Sequence, residues 1–193
     1  PIQVNLKPPQ FQLPEMGGEA PHLGPKSSKV SLVLFGDSAN PNSFQLIENL
    51  RDLFDTYENL SLEYRPILAE GNGYQQVREK INHCVWKKFP DHFWNFFTKS
   101  QGGFGSETHE RLFSTLQSLK ISKETIDSCI HEKEAEEVNE YHRQMAQYLG
   151  LQGGPILKIG GEVLTPPIQI KQIKQIINRQ AHLPDAALWN PTY

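Results

Sequence analysis

Most of the chemistry this sequence could perform is held in the segment Asp37-Ser38-Ala39-Asn40-Pro41-Asn42-Ser43, two cysteines and seven histidines. The segment follows an apolar run, Val30 to Phe35, and precedes a helical pattern, which predicts a strand-to-helix junction. The first N–H groups of such a helix are free and its dipole favours negative charge, which suits a nucleophile or a bound anion. Yet none of Asn40, Pro41, Asn42 and Ser43 ionises near neutral pH. Asn and Ser are good helix caps, so the plainest role for Asn40 and Ser43 is capping. A groove at the helix N-terminus that still binds a partner is the other role.

Cys84 and Cys129 stand 45 residues apart with no second cysteine near either, so a Cys-x-x-Cys redox pair and a cysteine-rich zinc site are both excluded. They are one disulfide or two buried thiols, and composition does not choose. The histidines His22, His83, His92, His109, His131, His142 and His182 show no metal-binding spacing, and His131 beside Cys129 makes at most two ligands; no metal site is expected. Asn59-Leu60-Ser61 fits the glycosylation sequon, a frequent tripeptide that carries little weight.

Charge and hydropathy narrow the partners. A net charge of -3 and a pI near 6.2, with no run of Lys or Arg, argue against nucleic acid. The longest apolar stretches are a third of a membrane-spanning helix, so no span is expected. The chain begins at Pro1 rather than Met, so the expectation is that an upstream segment, such as a secretory signal, has been removed.

The elements that would position these residues can be traced in order. Residues 1–28, proline-rich, predict an extended arm with an edge strand at Ile2, Val4 and Leu6. Residues 29–73 read as strand, helix, strand: Val30 to Phe35 as a strand buried on both faces, then Phe44, Ile47, Leu50, Leu53, Phe54 and Tyr57 at helical steps, then alternating Leu60, Leu62 and Tyr64. The crossover favours parallel strands. Residues 74–149 are all helix: Tyr74 to about Phe97 with an aromatic cluster read as core, a glycine-rich break at 101–105, Ser106 to Leu119, Ser122 to Ile130 capped by Ser122, and Glu132 to Leu149 with a stripe of Ala135, Val138, His142, Met145 and Leu149. Residues 150–180 predict a hairpin turning at Gly160-Gly161 and a helix opened by Thr165-Pro166-Pro167 that buries Ile170, Ile173, Ile176 and Ile177. Residues 181–193 form a tail whose Leu188 and Trp189 are expected to dock on the body.

This order, βαβ, helices, ββα, outlines an α/β thioredoxin-like fold with an inserted helical subdomain. The residues resemble the DsbA-like branch of disulfide oxidoreductases, whose motif is an apolar strand, then F-x-D-x-x-C-P-x-C, then a helix. Phe35-Gly36-Asp37-Ser38-Ala39-Asn40-Pro41-Asn42-Ser43 aligns with it without a gap. "APHLGPKSSKVSLVLF", "HCVWKKFPDHFWNFF", "ISKETIDSCI" and "GLQGGPILKIGGEVL" resemble family segments in family order, from about Ala20 to Arg179.

The resemblance implies a disulfide between Cys84 and Cys129, which by the chain-entropy estimate stabilises the fold by roughly 4 kcal/mol. It also implies a cis bond before Pro155, with Gly154 offering its backbone to an extended peptide, and an extracytoplasmic location. The departure is that Asn40 and Ser43 stand where the family has its redox cysteines. An amide cannot form a mixed disulfide and an alcohol cannot replace the thiolate, so disulfide exchange at this motif is expected to be absent. The expected function is a non-redox peptide- or protein-binding, chaperone-like role through Asn40, Ser43, Gly154 and Pro155, with no cofactor. The alternative is similarity to kappa-type glutathione transferases and related isomerases, in which Ser43 and the helix N-terminus would bind glutathione.

Overall fold

A computed structural model describes residues 20–68, 73–100, 106–151 and 154–182. The expectations at Ile2, Val4, Leu6, Leu188 and Trp189, and the break at 101–105, lie outside the described residues. The five-stranded sheet is built around β2 (Val30–Gly36), which runs parallel to β3 (Leu60–Pro66) and antiparallel to β4 (Ile156–Ile159). β5 (Glu162–Leu164) extends it past β4, and β1 (His22–Leu23) past β3, in the order β1-β3-β2-β4-β5. β1 falls within the segment read as an irregular arm.

β2 is buried more completely on one face than on the other. Val30, Leu32 and Leu34 are buried, whereas Ser31 is exposed and Val33 half-buried. Only Phe35 is buried on the second face, because the helical cover reaches just that end of the sheet. α1 (Pro41–Arg51) and α7 (Ile170–Ala181) pack Leu46, Ile47, Leu50, Ile173, Ile176 and Ile177 into the main core. Burying an isoleucine contributes roughly 1.5–3 kcal/mol, so α7 is held chiefly by its three. α7 begins at Ile170 with Gln169 at its cap, not at Thr165: Pro167 keeps Pro166 out of the helical region and delays the helix. At the hairpin, Gly160 has φ 55°, and a Cβ there would lie 2.6 Å from Gln180 Oε1. The Gln180 amide is fixed in that place by donating to the Ile159 carbonyl at 2.8 Å.

Between β3 and β4 the chain is helical: α2 (Gly73–Lys88), α3 (Phe93–Lys99), α4 (Ser106–Ser118), α5 (Lys123–Ile130) and α6 (Lys133–Tyr148). The helix expected over 74–97 is divided, because Pro90 forces Phe89 out of helical geometry (φ -141°, ψ 57°) and a short 3-10 turn follows. The aromatic cluster is core: Phe93, Trp94, Phe96 and Phe97 are buried, and Phe97 meets Tyr64 edge-on at 4.9 Å. Ser122 Oγ caps α5 by accepting from Thr125 N–H at 3.2 Å. α6 buries Ala135, Asn139, His142 and Ala146, while Val138 and Met145 are only half-buried. The helix is rotated from the expected stripe so that Asn139 Nδ2 can donate to the Gln76 carbonyl at 2.8 Å. No helix among the described residues is long and apolar enough to cross a membrane.

Candidate functional site

The strand-to-helix turn is a closed circuit of hydrogen bonds. Leaving β2 at Gly36, Asp37 accepts twice: its Oδ1 from Ala39 N–H at 2.7 Å and its carbonyl from Asn40 N–H at 2.9 Å. Ser38 N–H donates to Glu79 Oε1 at 3.3 Å. Asn40 is the N-cap of α1, extended at φ -90° and ψ 120°, and its Oδ1 accepts from Asn42 N–H at 2.9 Å. Pro41, at the first helical position, has no N–H to give. From Ser38 to Asn42 every backbone donor is therefore met by an acceptor of the chain itself. The acceptor in the place of a thiolate is the side-chain oxygen of Asn40.

Ser43 faces inward. It is fully buried, its Oγ has no hydrogen-bond partner among the described residues, and a Cβ at Gly36 would come within 3.0 Å of it. Glycine at position 36 is what allows α1 to approach β2 this closely. The orphaned hydroxyl carries a desolvation cost of about 1–3 kcal/mol.

Beneath the turn lies a buried polar cluster from α2 and β3. Glu79 accepts from Ser38 N–H, from Tyr64 O–H at 3.1 Å and from Asn82 Nδ2 at 2.9 Å. Desolvation pushes its carboxyl up, and the Asn82 and Ser38 hydrogen bonds and the Arg78 charge pull it back. Tyr64 O–H also lies 3.0 Å from the Gly36 carbonyl, and burial with the Glu79 charge holds its phenol well above the usual range, so it remains a donor. Arg78 donates from Nε to Ser38 Oγ at 3.0 Å and from its terminal nitrogens to Tyr74 and the Ser100 carbonyl, both at 3.2 Å. Consecutive residues of α2 thus hold the side chain and the backbone of Ser38. Sequence reasoning missed this cluster. Its signal is the spacing of Gln75, Arg78, Glu79 and Asn82, a polar stripe at helical steps beside apolar Ile81, Cys84 and Val85.

The register Phe35↔Ile156 sets Pro155 beside the end of β2 from which the turn departs, so Asn40 and Gly154-Pro155 share one end of the sheet. The cis bond implied before Pro155 is not present. Among the described residues the cis peptide bond is Pro166-Pro167, and Gly154 turns the chain at φ 76°, a conformation open to glycine. Pro155 is buried, and a Cβ on Gly154 would lie 3.7 Å from Pro166 Cγ.

Cys84 and Cys129 are joined, tying α2 to α5, and both are buried. The disulfide lies within the helical insertion, and its sulfurs have no access to exchange. Among the described residues no three His, Cys, Asp or Glu side chains form a metal-holding group.

A family model described as thioredoxin matches residues 17–179. No curated protein sequence matches the chain. Among solved structures, it resembles a periplasmic thioredoxin-like protein from Salmonella enterica serovar Typhimurium, at 20% identity and TM-score 0.70 over 83% of this chain and 89% of that one. The thiol-disulfide exchange protein alpha-DsbA2 from Wolbachia pipientis, at 17% identity, also gives TM-score 0.70, over 83% and 86%. Oxidised BdbD from Bacillus subtilis, at 22% identity, gives 0.70 over 83% and 92%. These likenesses carry the fold, a thioredoxin-like sheet with helices inserted between its halves. With the family match spanning most of its length, the chain belongs to the thioredoxin family, and its two cysteines form a structural disulfide in place of a Cys-x-x-Cys pair.

Proposed function

We propose that the protein is a non-redox member of its family that holds extended segments of a partner polypeptide at the end of the sheet shared by Asn40 and Gly154-Pro155. The observation that carries this reading is the Asn40 side chain. Its Oδ1 is turned inward to Asn42 N–H, while its Nδ2, which has no partner among the described residues, is left to donate to a peptide carbonyl at a half-exposed position. Ile156, Val33 and Leu151 nearby are half-buried apolar residues suited to the side chains of such a segment. The sealed Ser43 hydroxyl and the pairing of the Ser38, Ala39, Asn40 and Asn42 N–H groups within the chain favour peptide holding over the transferase reading. An extracytoplasmic location is supported by the buried disulfide and by the periplasmic origin stated for the Salmonella protein.

The test is binding of reduced, carboxymethylated α-lactalbumin, an unfolded client with no free thiol, measured by fluorescence anisotropy beside an insulin-reduction assay. Saturable binding that weakens at least about fivefold in Asn40→Ala, with no insulin reduction, is the expected result, since a lost hydrogen bond costs about 1 kcal/mol. Absence of binding, or turnover of glutathione with a chromogenic acceptor, would overturn it.

A further inference from the structure

α6 is attached to the rest of the molecule by a face with little apolar surface. It buries two alanines, Asn139 and His142. Its joint with α2 is polar: Lys80 pairs with Glu136, Lys87 with Glu134, Lys87 and Lys88 with Glu132 at 3.5 and 3.2 Å, and Asn139 with the Gln76 carbonyl.

Two histidines stand in this joint. His83 of α2 has a buried Nε2 with no hydrogen bond, 3.8 Å from Glu134 Oε1; Glu132, Lys87 and Lys88 complete its charged surroundings. His142 of α6, 8% exposed, lies within the influence of His83 and of Arg65 on β3, which is itself paired with Glu63 at 2.5 Å. A proton on His142 would add a positive charge beside Arg65, whereas one on His83 would face the Glu134 carboxylate. Desolvation, then the Arg65 and His83 charges, push His142 down to about 3, and desolvation lowers His83. Glu134 and Glu132 are held below the usual carboxylate range by Lys87 and Lys88.

The same helix ends over an apolar patch. Ala146, with Leu151 just beyond α6, packs on Phe35 and Ile67, bordered by Val33 and Ile156, the end of the sheet where the turn and Pro155 lie. We propose that α6 is an acid-released cover over the Phe35 and Ile67 patch, with His142 as the group whose protonation frees it. Uncovering the patch enlarges the apolar surface offered to an unfolded segment. That consequence rests on the peptide-holding reading above; the release of α6 does not. An undocked histidine titrates near 6.5, so each pH unit below that favours release by up to about tenfold through His142, or about twentyfold between pH 7 and pH 5.

The experiment is amide hydrogen exchange at pH 7 and pH 5, corrected for intrinsic rates, on the full chain with its disulfide intact, with 1-anilinonaphthalene-8-sulfonate fluorescence as a probe of apolar exposure. No partner polypeptide is present, so the outcome stands apart from that of the client-binding test. Expected is a reversible loss of protection over 133–148 at pH 5, at least about tenfold greater than in β2 and β3, with a rise in dye fluorescence, both diminished in His142→Gln. Protection of α6 equal to that of the sheet at pH 5, loss of protection everywhere at once, or an undiminished response in folded His142→Gln would overturn the proposal. Should that variant not fold, the wild-type comparison of α6 with the sheet decides alone.

Discussion

α2 is shared by two neighbours that are joined to it by opposite chemistry. Toward α5 the joint is covalent and apolar: Cys84 bonds to Cys129, and Ile81, Val85 and Ile126 are buried in one core with them. Toward α6 it is a ladder of lysine and glutamate pairs around the half-buried His83. A disulfide and apolar burial are indifferent to mild acid and to salt, whereas charge pairs and buried imidazoles respond to both. One insertion therefore contains a joint that conditions leave alone and a joint that they can reach.

The strongest way to break the contrast is to remove its covalent side. Cys84→Ala with Cys129→Ala should cost about 2–5 kcal/mol of unfolding free energy in a urea titration. An effect under about 1 kcal/mol would mean that apolar packing alone holds α5. Next is the acid response of the other joint. The folded His142 is held at about 3 against an unfolded value near 6.5, so the folded state binds fewer protons over that window. Its contribution is present above pH 6.5 and is lost as pH falls toward 3. Wild-type stability should drop by about 1–3 kcal/mol between pH 7 and 4.5 from this group, and His142→Gln should flatten the curve over that range. Equal slopes would remove His142 from the account.

A control outside both joints is Asn40→Ala. Loss of the cap on α1 should cost about 1 kcal/mol at every pH between 5 and 8, read from urea midpoints, without changing protection in α5 or α6. The smallest effect is expected from Lys87→Met: its pairs with Glu134 and Glu132 are solvent-exposed, so the midpoint should move little in dilute buffer and not at all in 1 M salt. A large salt-independent shift would show that the ladder is held by something other than charge.

The turn and the cluster beneath it differ in how far they could be seen in the sequence. Asn40 as a cap and the strand before it were legible because both are local: an amide followed by proline, and a run of β-formers. Glu79, Arg78 and Tyr64 were not, since their partners lie 41, 40 and 28 residues away along the chain and nothing in a charged pair on a helix announces burial. Pro155 shows the opposite failure. The resemblance implied a cis bond, while the bond before Pro155 is not cis and Gly154 turns the chain at φ 76°.

By itself the sequence determined the order of elements, the absence of a Cys-x-x-Cys pair and the chemistry forbidden to Asn40 and Ser43, because periodicity, cysteine spacing and side-chain ionisation are properties of the covalent chain. Only the tertiary structure decided that Cys84 meets Cys129, that Ser43 is sealed against Gly36, that Glu79 sits under the turn and that two histidines share the joint between α2 and α6. Those outcomes depend on which faces of helices and strands are brought together and how much water they exclude, and burial is a property of the packed whole rather than of any segment.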